Sequence, residues 1–128
     1  MLVLNCHVSY CSGENAGRMY RRGLEYTAKH IDPLLVKYKV TATIGSYHQA
    51  YERVEPPAEV GVPTILTAQA GGTGWPQRAS AVAANKYSKA ARSGNHYCLF
   101  EVKKDKLVMQ AIDFDGKVFD TREFAARK

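Results

Sequence analysis

The sequence predicts a mixed α+β or α/β domain, and three observations carry that prediction. Apolar residues recur at helical spacing between Met19 and Lys39. Short apolar or β-branched runs stand on either side of that segment, Leu2-Val3-Leu4 before it and Val40 to Ile44 after it. The last third holds two strand-like runs joined by tight turns and closes on Asp115-Gly116, a strong hairpin signal. The expected architecture is a mixed sheet with a helix, ending in an antiparallel hairpin sheet.

Each element follows in order. Leu2-Val3-Leu4 is a short buried strand that runs into a loop at Cys11-Ser12-Gly13. Leu24, Ala28, Ile31, Leu35 and Tyr38 stand 4, 3, 4 and 3 residues apart, the spacing of one helical face. Pro33 interrupts that pattern, so it is expected to divide one helix from another, with Asp32 capping the second. The run Val-Thr-Ala-Thr-Ile up to Gly45 is a strand. Pro56-Pro57 then breaks the chain.

Thr64-Ile65-Leu66-Thr67 is the next strand, followed by Gly71-Gly72-Thr73-Gly74. From Trp75 to Gly94 the chain is polar and alanine-rich with no clear period, and is expected to be loop or loose helix. His96 to Val102 is a strand, Lys103 to Lys106 a turn, and Leu107 to Ile112 a second strand, with Val118-Phe119 beyond the hairpin turn. There are no internal repeats, and residues 1–128 are expected to form one domain.

The bulk properties narrow the function classes. A hydrophobic fraction of 45% and a charged fraction of 23% are ordinary for a globular chain. No run approaches the roughly 18 apolar residues that span a bilayer. The amino terminus lacks the basic start and apolar stretch of a secretory signal, so a soluble chain with no visible address is expected and no compartment is assigned. The net charge of +6 is spread over Arg18/Arg21/Arg22, Lys86/Lys89/Arg92, Lys103/Lys104/Lys106 and Arg122/Arg127/Lys128. Four separate solvated faces explain it, and no aromatic-interleaved basic motif points to nucleic acid. Three cysteines cannot complete a disulfide framework, and Cys6-x4-Cys11 is not a zinc-knuckle spacing.

One set of short motifs has a recognisable order. A strand leads into Tyr10-Cys11-Ser12-Gly13, and a helix closes on Pro33-Leu34-Leu35-Val36-Lys37-Tyr38-Lys39-Val40. Then come a strand, Ala50-Tyr51-Glu52-Arg53, a strand ending in Gly-Gly-Thr-Gly, and a hairpin with Asp113-Phe114-Asp115-Gly116-Lys117. From about Leu2 to Asp120 this resembles the C-terminal half of the purple acid phosphatases, metallophosphoesterases of the calcineurin-like superfamily. The resemblance implies part of a two-sheet β-sandwich and, for complete members, acid phosphatase (hydrolase) activity on phosphate monoesters. The cofactor it implies is a dinuclear centre of iron with zinc, manganese or a second iron, which clamps phosphate and activates a bound water.

Two departures from the family pattern qualify that implication. The family's aspartate-rich amino-terminal motifs have no counterpart here. The metal-binding histidines fall one residue off: Cys6 occupies one ligand position with His7 beside it, and Tyr47 and Gln49 occupy two others with His48 between them. In a strand, one residue of displacement turns a side chain to the opposite face. His7 and His48 are thus candidate but displaced metal ligands. Tyr10, Ser12, Tyr51, Glu52, Arg53, Gly71 and Gly72 are motif residues with a structural role, Glu52 and Arg53 as an ion pair that fixes the loop.

No catalytic set can be assembled, so the isolated chain is expected to be inactive and to hold no metal unless the family site is completed. The alternative is a metal-free pseudoenzyme that serves as a structural or binding subunit of a larger assembly. In either case a partner chain or self-association is expected to cover the exposed sheet, with neither a membrane nor nucleic acid as partner.

Overall fold

A computed structural model of the chain describes residues 2–5, 9–12, 18–46, 50–67 and 83–128. Strand β1 (Leu2–Asn5) is followed by helix α1 (Arg18–Tyr26), a π-helical turn (Thr27–Ile31) and helix α2 (Asp32–Lys37). Seven strands follow: β2 (Ala42–Gly45), β3 (Tyr51–Val54), β4 (Thr64–Leu66), β5 (Ser88–Arg92), β6 (His96–Val102), β7 (Lys106–Asp113) and β8 (Val118–Ala125). They form a five-stranded sheet ordered β1-β2-β4-β3-β5 and a three-stranded sheet ordered β6-β7-β8. β1, β2 and β4 run parallel, whereas β3 is antiparallel to both β4 and β5, so the larger sheet is mixed. The smaller sheet is an antiparallel meander. The α+β expectation therefore holds.

The core lies between the two sheets. Ala42, Tyr51 and Ile65 of the larger sheet pack with Leu107, Met109, Ala111 and Phe124 of the smaller one. Along β7 the alternate residues Leu107, Met109 and Ala111 are buried, the period-2 pattern of a sheet with one covered face. A second cluster joins Leu35 to Val40 and Val62, with Ile31 and Val36 against it.

The helical segment departs from expectation at Pro33. The helix does not break there. It widens into the π turn, in which Thr27 Oγ1 donates to the Gly23 carbonyl at 2.9 Å. The wider turn makes room for the proline ring, whose missing N–H leaves one bond of the helical ladder unmade. Asp32 does not cap α2: it is the first helical residue, and its side chain is buried with Oδ2 unpartnered.

α2 ends in a Schellman arrangement. Val40 N–H donates to the Leu35 carbonyl at 2.9 Å and Lys39 N–H to the Val36 carbonyl at 3.0 Å. Lys39 adopts φ 53°, left-handed backbone that usually falls to glycine. The contact between Val40 and Leu35 completes the motif.

Two strands are absent from the sequence reading. β3 coincides with the Tyr-Glu-Arg motif, and all four of its residues are buried. β5, Ser-Lys-Ala-Ala-Arg, lies in the stretch with no clear period and carries no β-branched residue. Its strand geometry comes from pairing with β3, so tertiary context outweighs propensity there. The expected hairpin is present: Gly116 takes φ 78°, and Asp113 Oδ1 accepts the N–H groups of Lys117 (2.8 Å) and Asp115 (3.1 Å).

Candidate functional site

β3 is the element on which the site is built, because its alternation sends neighbouring side chains to opposite faces of the sheet. Glu52 points to one face and is fully buried. Its carboxylate accepts the Ser12 N–H at 2.8 Å, the Ser12 hydroxyl, and Asn85 Nδ2 at 3.3 Å. Asn85 Nδ2 also donates to the Tyr10 carbonyl at 2.7 Å and to Ser12 Oγ at 2.9 Å, while Asn85 Oδ1 accepts the Tyr87 N–H at 3.1 Å. One carboxylate thus joins three separate stretches of chain.

The loop it holds is strained. Tyr10 has φ 67°, a left-handed conformation that costs a non-glycine residue about 1–2 kcal/mol. Asn85 fixes that strained peptide through its carbonyl. The Tyr10 ring stands edge-on to Tyr87 at 5.3 Å, and its hydroxyl donates to the Val60 carbonyl at 3.2 Å.

Tyr51 and Arg53 point to the other face, towards the smaller sheet. Arg53 Nε and Nη2 donate to the two oxygens of Asp120 at 2.7 and 3.1 Å, and the Tyr51 hydroxyl donates to Asp120 Oδ2. Arg53 also pairs with Glu55, which Arg122 contacts at 2.9 Å. Burial is the largest single influence on Asp120 and pushes its pKa up. The bonds from Arg53 and Tyr51 outweigh it, and the carboxyl is held below the usual range. Burial and the Asp120 bond together drive the Tyr51 phenol far above its ordinary value.

His96 closes this face. It is buried edge-on against Tyr51 (5.6 Å) and Phe119 (6.2 Å), with Nδ1 2.9 Å from the Gly94 carbonyl. Arg92 lies over the Phe119 ring at 4.6 Å and pairs with Asp113 at 3.0 Å.

The expected ion pair between Glu52 and Arg53 is therefore not formed. Adjacent strand residues face opposite ways, and each finds its partners on its own side. Ser12, Tyr10 and Glu52 are brought together, as are Tyr51 and Arg53. His7, His48, Cys6, Tyr47, Gln49, Gly71 and Gly72 lie outside the described residues. Among the described residues no group of three histidines, cysteines, aspartates or glutamates is placed to hold a metal ion.

The chemistry available at the site is limited. The Ser12 hydroxyl is engaged with Glu52 and Asn85, without a histidine among the hydrogen-bond partners described for it. Burial pushes the Cys98 thiol up to about 11, so it is not a thiolate at neutral pH. Asn85, Glu55 and Asp120 were not singled out from the sequence. Asn85 sits in the aperiodic stretch, and the register shift in β8 next to Phe119 hides the alternation that would have marked Asp120 as inward-facing.

No protein-family model matches the chain, and no curated protein matches it. Solved structures do. GAP50, the anchor in the inner membrane complex of Plasmodium, shares the fold. The TM-score is 0.75 at 21% sequence identity, over 99% of this chain and 36% of GAP50. The chain thus spans about a third of the length of that protein, and an identity this low establishes the fold alone.

This overturns the resemblance to the purple acid phosphatases and the acid phosphatase activity drawn from it. No family model supports it, and GAP50 is named for anchoring rather than for hydrolysis. The short motifs that suggested the phosphatase have a local explanation. Ser12 and Glu52 lock a loop, and Tyr51 and Arg53 lock two sheets together. No helix among the described residues is long and apolar enough to cross a membrane.

Proposed function

We propose that this chain is a non-catalytic domain that acts as a structural or binding subunit of a larger assembly. The observation that carries the reading is the use made of the motif residues. Ser12, Tyr51, Glu52, Arg53 and Asp120 are all engaged in bonds between distant parts of the chain. A catalytic carboxylate or hydroxyl needs an approach for substrate, whereas Glu52 has no exposed surface. The fold shared with an anchor protein supports the same reading.

On this reading residues 1–128 form one domain, Tyr10, Ser12, Tyr51, Glu52 and Arg53 are structural, and neither His7 nor His48 needs a metal. The test combines turnover with stability. The chain is incubated with iron, zinc and manganese and assayed on a panel of phosphate esters, alongside Glu52→Gln. The expected result is no turnover by either protein and a lower melting temperature for the variant. Metal-dependent turnover that the variant loses without unfolding would overturn the reading.

A further inference from the structure

Among the described residues Asp32, Glu52 and Asp113 are the buried carboxylates, and two of them are well bonded. Glu52 takes bonds from Ser12 and Asn85, and Asp113 takes two backbone amides and Arg92. Asp32 is the exception. It is 5% exposed at the start of α2, and its Oδ2 has no partner. Ser9, 3% exposed, is the side chain that stands against this carboxyl, and its Oγ is unpartnered too.

The two side chains lie on different pieces of the fold. Ser9 belongs to the 9–12 loop after β1, and Asp32 to the joint between the π turn and α2. The loop is strained at Tyr10 and tied down beyond it, by Asn85 at the Tyr10 carbonyl and by Glu52 at Ser12.

The charges around this seam leave Asp32 uncompensated. In the helical segment Lys29, His30 and Lys37 are exposed, as are Glu59 next to Val60 and Lys86 next to Tyr87. His30 stacks on Tyr26, Lys37 on Tyr38 and Lys86 on Tyr87. The titratable group coupled to Asp32 is the Tyr10 phenol, itself pushed up by burial, with Tyr87 behind it. Among the described residues no lysine, arginine or histidine acts on the carboxyl. Burial pushes Asp32 up. The Ser9 hydroxyl favours the ionised form but, short of a well-formed hydrogen bond, is outweighed.

We propose that Ser9 and Asp32 form a proton-controlled latch between the 9–12 loop and α2. The latch is closed when Asp32 holds a proton and uses it to donate a hydrogen bond to Ser9 Oγ. A neutral carboxyl also avoids the cost of an unpaired buried charge. Losing the proton leaves that charge in the seam, and opening the seam to water relieves it. In the open seam Asp32 returns to the ordinary aspartate value of about 4. Above that value the closed seam binds a proton that the open seam does not, so opening grows easier as pH rises. The rise ends once pH passes the closed-state value. Below about 4 both states are protonated and pH has no effect. The latch goes beyond the subunit reading and can fail without it.

The test is nuclear magnetic resonance on the full chain between about pH 3 and 8, with Asp32→Asn and Ser9→Ala alongside. The Asp32 carboxyl carbon is titrated directly. Amide exchange, corrected for its intrinsic pH dependence, gives the opening constant at Asp32, whose N–H donates to the Thr27 carbonyl. The carboxyl is expected to titrate above the ordinary value of about 4. The opening constant is expected to rise at least ~3-fold across the same midpoint, with β7 amides better protected throughout. Asp32→Asn keeps a donor for Ser9 and has no proton to lose, so its opening should not change with pH. Ser9→Ala should open the seam at low pH as well. A carboxyl that titrates at or below about 4 would overturn the latch. So would a flat opening constant in the wild type, exchange at Asp32 no faster than in β7, or a pH response retained by Asp32→Asn.

Discussion

Arg53 holds Asp120 with two hydrogen bonds, 2.7 Å from Nε and 3.1 Å from Nη2, across the space between the two sheets. Both side chains are 10% exposed, so the pair is largely screened from water. Removing one partner of such a pair strands the other charge. Asp120→Ala is therefore expected to cost about 3 kcal/mol in urea unfolding. Breaking the exposed Lys106–Glu123 pair with Glu123→Ala should change stability far less, because solvent screens that pair. Equal effects from the two substitutions would remove Asp120 as the cross-link.

The same carboxylate gives the fold an acid limit. Asp120 and Asp113 are both held below the ordinary aspartate value, Asp120 by Arg53 and Tyr51 against its burial, Asp113 chiefly by the Lys117 amide. A depressed folded value contributes stability that is present above the unfolded value, about 4, and lost as pH falls through the folded one. Asp32 has the opposite sign: burial raises it, so its ionisation opposes folding at neutral pH. Asp32→Asn is expected to stabilise the chain near pH 7, with the gain shrinking towards pH 3. Melting curves across that range check both signs.

Lys39 offers a stabilising change. Its left-handed φ of 53° closes α2 where glycine is usually found. Lys39→Gly should relieve about 1–2 kcal/mol of backbone strain and return part of it as chain entropy, for a net gain of roughly 0.5–1 kcal/mol. Thermal unfolding of the variant measures this, and a loss of stability would count against the geometry.

Gly61 tests the loop behind Glu52. A β-carbon there would lie 2.8 Å from Pro56 Cγ and 3.1 Å from Tyr10 Cε2. Gly61→Ala should therefore cost about 1–3 kcal/mol by displacing the Pro56 ring or the Tyr10 ring that packs on Tyr87. Altered fluorescence of the tyrosines, with the smaller sheet unchanged by amide exchange, would locate the damage.

The sequence carried the regular parts of this fold well and the site poorly, for physical reasons. β6 and the Asp115-Gly116 turn were legible because strand propensity and turn chemistry are local properties. The helical face was legible by its spacing as far as Leu35, whereas Tyr38 stands past the end of α2 and is exposed, and the π turn that accommodates Pro33 was not legible. β5 was missed because its edge pairing owes nothing to its residue types. The Glu52 cluster was missed because Ser12, Glu52 and Asn85 are separated by 40 and 33 residues, and hydrogen bonds between distant segments leave no period. The Tyr-Glu-Arg run gave a memorable pattern whose meaning is decided by which face each side chain occupies.

The central claim, a non-catalytic subunit of a larger assembly, is tested most directly by native mass spectrometry of the chain isolated gently from its source. One spectrum reports both bound metal and bound partners. The account expects masses of multi-chain assemblies with no added metal mass, unchanged after treatment with a chelator. A single chain carrying one or two transition-metal ions, with the metal lost to the chelator, would contradict it.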